Sequence, residues 1–111
     1  HFSKNKIILV NISSGAANKT IPFWSLYSAA KAYMGLFFKV LEKENKENSN
    51  VFLYSIEPGA LDTGMQKNIR DNDSPDQNYF KSLKKQNKLV KPEDAALIIF
   101  NKINRKACKS R

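Results

Sequence analysis

Two short apolar runs constrain this chain more than any other feature: Lys6-Ile-Ile-Leu-Val-Asn-Ile12 and Val51-Phe-Leu-Tyr-Ser-Ile56. Neither alternates apolar with polar residues, which is the pattern of strands covered on both faces, as in a parallel sheet. Parallel neighbours cannot be joined by a tight hairpin and need a long crossover, usually a helix. The segment between the runs supplies one. From about Ser25 to Glu44, the residues Ala29, Ala30, Ala32, Tyr33, Leu36, Phe37 and Val40 make a broad apolar helical face. The first run ends at Ser13-Ser14-Gly15 and passes into a loop through Thr20-Ile-Pro22, and the second is closed by Glu57-Pro58-Gly59. Strand, helix, strand then forms a right-handed crossover unit.

Beyond this unit the spacing predicts a short helix over Thr63–Arg70, a polar loop over Asp71–Asn78 and a further helix over Tyr79–Gln86. A last helix is opened by Lys91-Pro92-Glu-Asp and runs to about Ile103. Pro92 followed by two acids suits a helix start, where a missing N–H costs nothing and negative charge meets the positive end of the dipole. Two parallel strands do not close a core, because sheets of this kind need several strands with helices on both faces. The expected fold class is therefore α/β, the carboxyl-terminal portion of a doubly wound, Rossmann-type parallel sheet. A first residue other than methionine agrees with a fragment.

Of the 111 residues, 41% are hydrophobic and 26% charged, which suits a globular chain. No apolar run reaches the roughly 20 residues of a membrane span, and the first residues lack the apolar stretch of a signal peptide. The expected setting is cytoplasmic, without a membrane partner. Cys108 is the only cysteine and His1 the only histidine, which excludes an internal disulfide, multi-thiol metal sites and a histidine triad. The net charge of +9 raises a nucleic-acid reading, which requires a contiguous positive face and salt-sensitive binding. The lysines are instead scattered among asparagines and glutamates, as in Lys43-Glu-Asn-Lys-Glu-Asn48, so no nucleic-acid partner is expected. Asn-x-Ser/Thr triplets at Asn11, Asn18 and Asn72 read as chance.

The chemistry-bearing residues lie in the crossover unit. Tyr27 and Lys31 are four apart, on one face of the helix, and Ser14 stands thirteen residues before Tyr27 at the strand exit. A free phenol titrates near pH 10, and an ammonium beside a phenol favours its ionised form, so such a pair suits proton transfer. Taken singly, each residue has a plainer role: an aromatic at a helix end, a solvated lysine, a serine ending a strand, a Pro-Gly turn. Trp24, Tyr33, Phe37 and Phe38 read as packing, pocket wall or subunit contact.

Together, Ser14, Tyr27-Ser-Ala-Ala-Lys31 on an apolar helix, and Pro58-Gly-Ala-Leu-Asp-Thr63 after a second strand resemble the short-chain dehydrogenase/reductase family. Within that family the likeness is to the sepiapterin-reductase and benzil-reductase-like branch, carried by Pro58-Gly-Ala-Leu-Asp-Thr-Gly-Met-Gln66 and Leu83-Lys-Lys-Gln-Asn-Lys-Leu-Val90. The resemblance implies a carbonyl reductase in which Tyr27 protonates the substrate oxygen, Ser14 holds it and Lys31 contacts the nicotinamide ribose. It further implies cofactor contacts from Tyr27, Lys31, Pro58, Gly59, Leu61, Asp62, Thr63, Gly64, Met65 and Gln66, and substrate contacts from Ser14, Gly15, Tyr27 and Gly59. NADP is the cofactor implied, a pterin side-chain ketone the substrate, and a homodimer the state of the full-length protein. A diketone such as benzil, or another xenobiotic carbonyl, is the competing substrate. From another class, a non-catalytic nucleotide-binding or scaffold protein would keep the same fold. The family's Gly-x-x-x-Gly-x-Gly turn finds no place, since the glycines are Gly15, Gly35, Gly59 and Gly64. Residues 1–111 are thus expected to form a partial domain carrying the catalytic half, inactive alone, with the amino-terminal cofactor-binding half absent.

Overall fold

The computed structural model describes residues 5–109, with side chains described to Lys106; His1 and the Cys108 thiol lie outside the described residues. The elements are β1 (Ile7–Ile12), α1 (Ser25–Glu44), β2 (Val51–Ile56), α2 (Gly64–Asp71), α3 (Gln77–Lys85) and α4 (Pro92–Lys109), with a 3-10 turn at Gly15–Ala17. They fall into two compact units. One holds the chain up to Glu57 together with the residues from Arg105, and the other holds Pro58–Asn104.

In the first unit β1 and β2 pair in parallel, in a register running from Ile7 opposite Val51 to Ile12 opposite Ile56. The crossover helix α1 packs on both strands and on the 3-10 turn. Its bounds are those expected from the apolar spacing. Asn45 closes it by turning its side-chain amide back onto the Leu41 carbonyl at 2.9 Å, and Lys43 in the last turn suits the negative end of the helix dipole. Ala16, Phe38 and Tyr54 are buried, and so is the polar Asn11. Asn11 is accommodated because its Nδ2 donates to Ser55 Oγ, 3.0 Å away on its register partner. A buried amide left without that acceptor would cost about 1–3 kcal/mol.

The apolar runs were expected to be covered on both faces, yet Ile8, Leu9 and Ile12 are each 40–42% exposed. The reason is that, among the described residues, each strand has a single neighbour in a two-stranded sheet, and α1 is the helix that packs on both.

In the second unit the chain leaves β2 through Pro58-Gly59, where Gly59 takes φ +84°, a left-handed conformation that favours glycine. Leu61 and Val90 form an isolated parallel bridge, and the amides of Asp62 and Val90 donate to Val90 and Ala60 carbonyls at 2.9 Å. Helix α2 starts at Gly64 rather than Thr63, because Thr63 is its extended N-cap and its Oγ1 accepts from the Gln66 amide. Helix α3 begins two residues earlier than its spacing suggested, at Gln77, whose side chain donates to the Arg70 carbonyl at 2.9 Å and ties α3 to α2. Helix α4 extends past Ile103 to Lys109, since Asn104 through Lys109 contain no proline or glycine to stop it. Ala95 is buried on α4.

Candidate functional site

The residues singled out in the crossover unit stand at the carboxyl end of β1, where Ser14 follows Ile12, and in the first turns of α1, which carry Tyr27 and Lys31. Lys31 reaches back along α1 so that its Nζ donates to the carbonyl of Ile12, the last residue of β1, at 2.8 Å. The same ammonium stands 5.8 Å from the centroid of the Tyr27 ring, within cation–π range. Tyr27 is in turn fixed by the edge of Trp24, ring centroids 5.5 Å apart and planes at 85°. A phenol and an amine one helical turn apart are thereby anchored to the strand tip that carries Ser14.

Ser14 is extended, and its Oγ accepts the Ala16 amide at 3.2 Å, capping the 3-10 turn. That bond uses the oxygen as acceptor and leaves the hydroxyl proton available for donation. Lys31 likewise commits one of the three N–H donors of its ammonium to Ile12. Both groups therefore keep donors for a ligand while their positions are set by the backbone. Ser14, Tyr27 and Lys31 are all half-buried rather than sealed.

Gly15 follows Ser14, and its lack of a side chain matters. A β-carbon there would lie 2.9 Å from Glu57 Oε1 and 3.7 Å from Lys19 Nζ. Glu57 reaches this point because Ser13 N–H donates to the Ile56 carbonyl at 2.8 Å, continuing the sheet past Ile12 and Ile56. Neither Glu57 nor Lys19 was singled out from the sequence. Their proximity depends on the strand register, and the only sequence signal was the charged residue directly before Pro58-Gly59. A separate cavity of about 470 Å³ is lined by Lys19, Thr20, Ile21, Pro22, Ser25 and Ser28. It follows the Ser25–Ser28 row of α1, not the row holding Tyr27 and Lys31.

The other expected contacts, Pro58, Gly59, Leu61, Asp62, Thr63, Gly64, Met65 and Gln66, belong to the second unit. Their surroundings within it fit an anionic dinucleotide. Apart from their chain neighbours and the adjoining helix backbone, Gly59 and Gly64 have no heavy atom within 4 Å of where a side chain would start, leaving backbone open to close approach. The first turn of α2 carries no acidic residue, and its free amides attract phosphate. Gln66 Oε1 is buried without a hydrogen-bond partner, an acceptor lacking a donor.

Asp62 has a different occupation: its carboxylate receives Arg70 Nη2 at 3.3 Å and Lys84 Nζ, joining the loop to α2 and α3. The Lys84 hydrogen bond, helped by the charges of Lys84 and Arg70 and opposed by partial desolvation, holds this carboxyl below its ordinary value of 3.8. Among the described residues no group of His, Cys, Asp or Glu is arranged to hold a metal ion, and no helix is long and apolar enough to cross a membrane.

Comparison with known proteins places the chain in a family. The short chain dehydrogenase family model matches residues 3–74. An uncharacterised oxidoreductase of Schizosaccharomyces pombe is 34% identical over 102 residues, covering 86% of this chain and 40% of that protein. The (S)-benzoin-forming benzil reductase of Bacillus cereus is 34% identical over 97 residues, 84% of this chain and 39% of that protein. Sepiapterin reductase of Xenopus tropicalis is 40% identical over 58 residues, 52% of this chain and 21% of that protein. The crystal structure of the KRED1-Pglu enzyme superposes with a TM-score of 0.69 at 33% identity, over 79% of this chain and 38% of that one. The chain belongs to the short-chain dehydrogenase family, an oxidoreductase family of α/β fold that binds a nicotinamide cofactor. It spans about 40% of the length of the curated relatives that match most of it.

Proposed function

We propose that the full-length protein reduces a ketone with a nicotinamide cofactor, using Ser14, Tyr27 and Lys31. The observation that supports this reading is the Lys31 ammonium, 2.8 Å from the Ile12 carbonyl and 5.8 Å from the Tyr27 ring centroid, together with a Ser14 hydroxyl two residues beyond Ile12 whose proton is uncommitted. The cofactor, when bound, supplies hydride to the carbonyl carbon. Ser14 donates a hydrogen bond to the carbonyl oxygen and fixes its position. Tyr27 delivers the proton to that oxygen as negative charge develops, a role worth on the order of 100- to 10,000-fold in rate for a positioned acid. Lys31 stabilises the negative charge left on the phenol oxygen, and its remaining donors hold the cofactor ribose. Gly59, Thr63, Gly64 and Gln66, with Pro58, Leu61, Asp62 and Met65 shaping the loop, are assigned to the cofactor. NADPH is the hydride donor in this reading.

The substrate is a pterin side-chain ketone of the sepiapterin kind, with a diketone such as benzil as second reading. The second is favoured by the longer likeness to benzil reductase. Both molecules present a ketone conjugated with an unsaturated ring beside a second oxygen function. A cytoplasmic homodimer completes the proposal, supported by the apolar side chains that α1 leaves exposed. The test is NADPH oxidation by the full-length protein supplied with sepiapterin or with benzil. Ketone-dependent oxidation with either supports the reading, and none with both refutes it.

A further inference from the structure

Glu57 and Lys19 have no place in the scheme above, yet their charged ends flank Gly15, the residue after Ser14. The empty position of the glycine side chain lies 2.9 Å from Glu57 Oε1 and 3.7 Å from Lys19 Nζ. Among the described residues the two form no ion pair with each other or with a third group, although each is exposed and free to turn. Exposed charges gain little from pairing with one another, so both groups are uncommitted and available to a ligand. Here a hydrogen-bond acceptor and a donor both reach the same point after the strand tip, at the carboxyl end of the parallel strands where ligands of such sheets bind.

We propose that Glu57 and Lys19 form a polar subsite that selects the substituent next to the reacting carbonyl, taking a group with adjoining N–H donor and C=O acceptor, as in a cyclic amide edge. Glu57 accepts from the N–H and Lys19 donates to the carbonyl. Gly15 keeps the space between them clear. This rests on the reductase reading and deepens it: a pterin ketone carries such an edge and a plain diaryl diketone does not. A site built around hydrogen-bonding groups discriminates strongly against molecules that leave those groups unpaired.

The test measures kcat/KM for sepiapterin and for benzil on the same preparation of the full-length protein, in wild type, Glu57→Gln and Lys19→Met. Because both substrates are read on one sample, partial loss of folded protein cancels in their ratio. The expected result is a fall of at least tenfold in the sepiapterin-to-benzil ratio for each variant. A ratio within twofold of wild type in both variants overturns the subsite while leaving the reductase reading intact. Wild-type protein that turns over neither ketone overturns both.

Discussion

Ser14 serves two purposes with one hydroxyl: its oxygen caps the turn that follows β1, and its proton stays available above the strand tip. The same economy holds for Lys31, anchored through one N–H with two to spare. The positions of these residues, just past a strand and one turn into a helix, were legible in the sequence because strand exit and helical spacing are local properties. The Glu57–Gly15 contact was not, since it depends on which residue of β2 faces which residue of β1. Phe23 was also unreadable in advance. It takes φ +69° and is 87% exposed, so a bulky side chain holds a left-handed conformation with little burial in return. Phe23→Gly should relieve that strain and raise stability by about 1 kcal/mol, checked by urea unfolding. A destabilised variant would show that the ring has a packing role.

At the level of elements, the loop after β2 is held by a carboxylate between two cations. Asp62 draws Arg70 from α2 and Lys84 from α3, a junction between elements that no sequence period encodes. The spacing gave α2 and α3 to within two residues and missed where each starts, because the Thr63 cap of α2 and the Gln77 tie from α3 to the Arg70 carbonyl act through side-chain hydrogen bonds at the borders. The sign of the Asp62 contribution follows from its lowered titration. A carboxyl held down in the folded state stabilises the fold above its unfolded value, and that stability is lost as pH falls through the folded value. The stability difference between wild type and Asp62→Asn should therefore be constant from neutral pH to about the ordinary value of 3.8, and shrink below it. Unfolding curves across that range check this. A difference that grows on acidification would contradict it.

On the scale of the whole molecule, the α/β class was readable because two unbroken apolar runs around an amphipathic helix leave few other architectures. The exposure of those runs was not, since burial depends on what lies beside them. Helix α1 shows the same thing: Leu26, Tyr33, Leu36 and Phe37 are 87%, 65%, 65% and 43% exposed, with Tyr33 and Phe37 stacked at 6.0 Å. Contiguous apolar surface of this kind marks an interaction site, and the proposed dimer assigns it to a second copy. Leu36→Glu in the full-length protein should halve the mass measured by sedimentation; an unchanged dimer would place the interface elsewhere. The most direct trial of the catalytic account is Tyr27→Phe, measured for both ketone turnover and NADPH binding in the full-length protein. The account predicts turnover reduced at least about a hundredfold with cofactor affinity retained within a few-fold. Turnover that survives the loss of the phenol hydroxyl would contradict it.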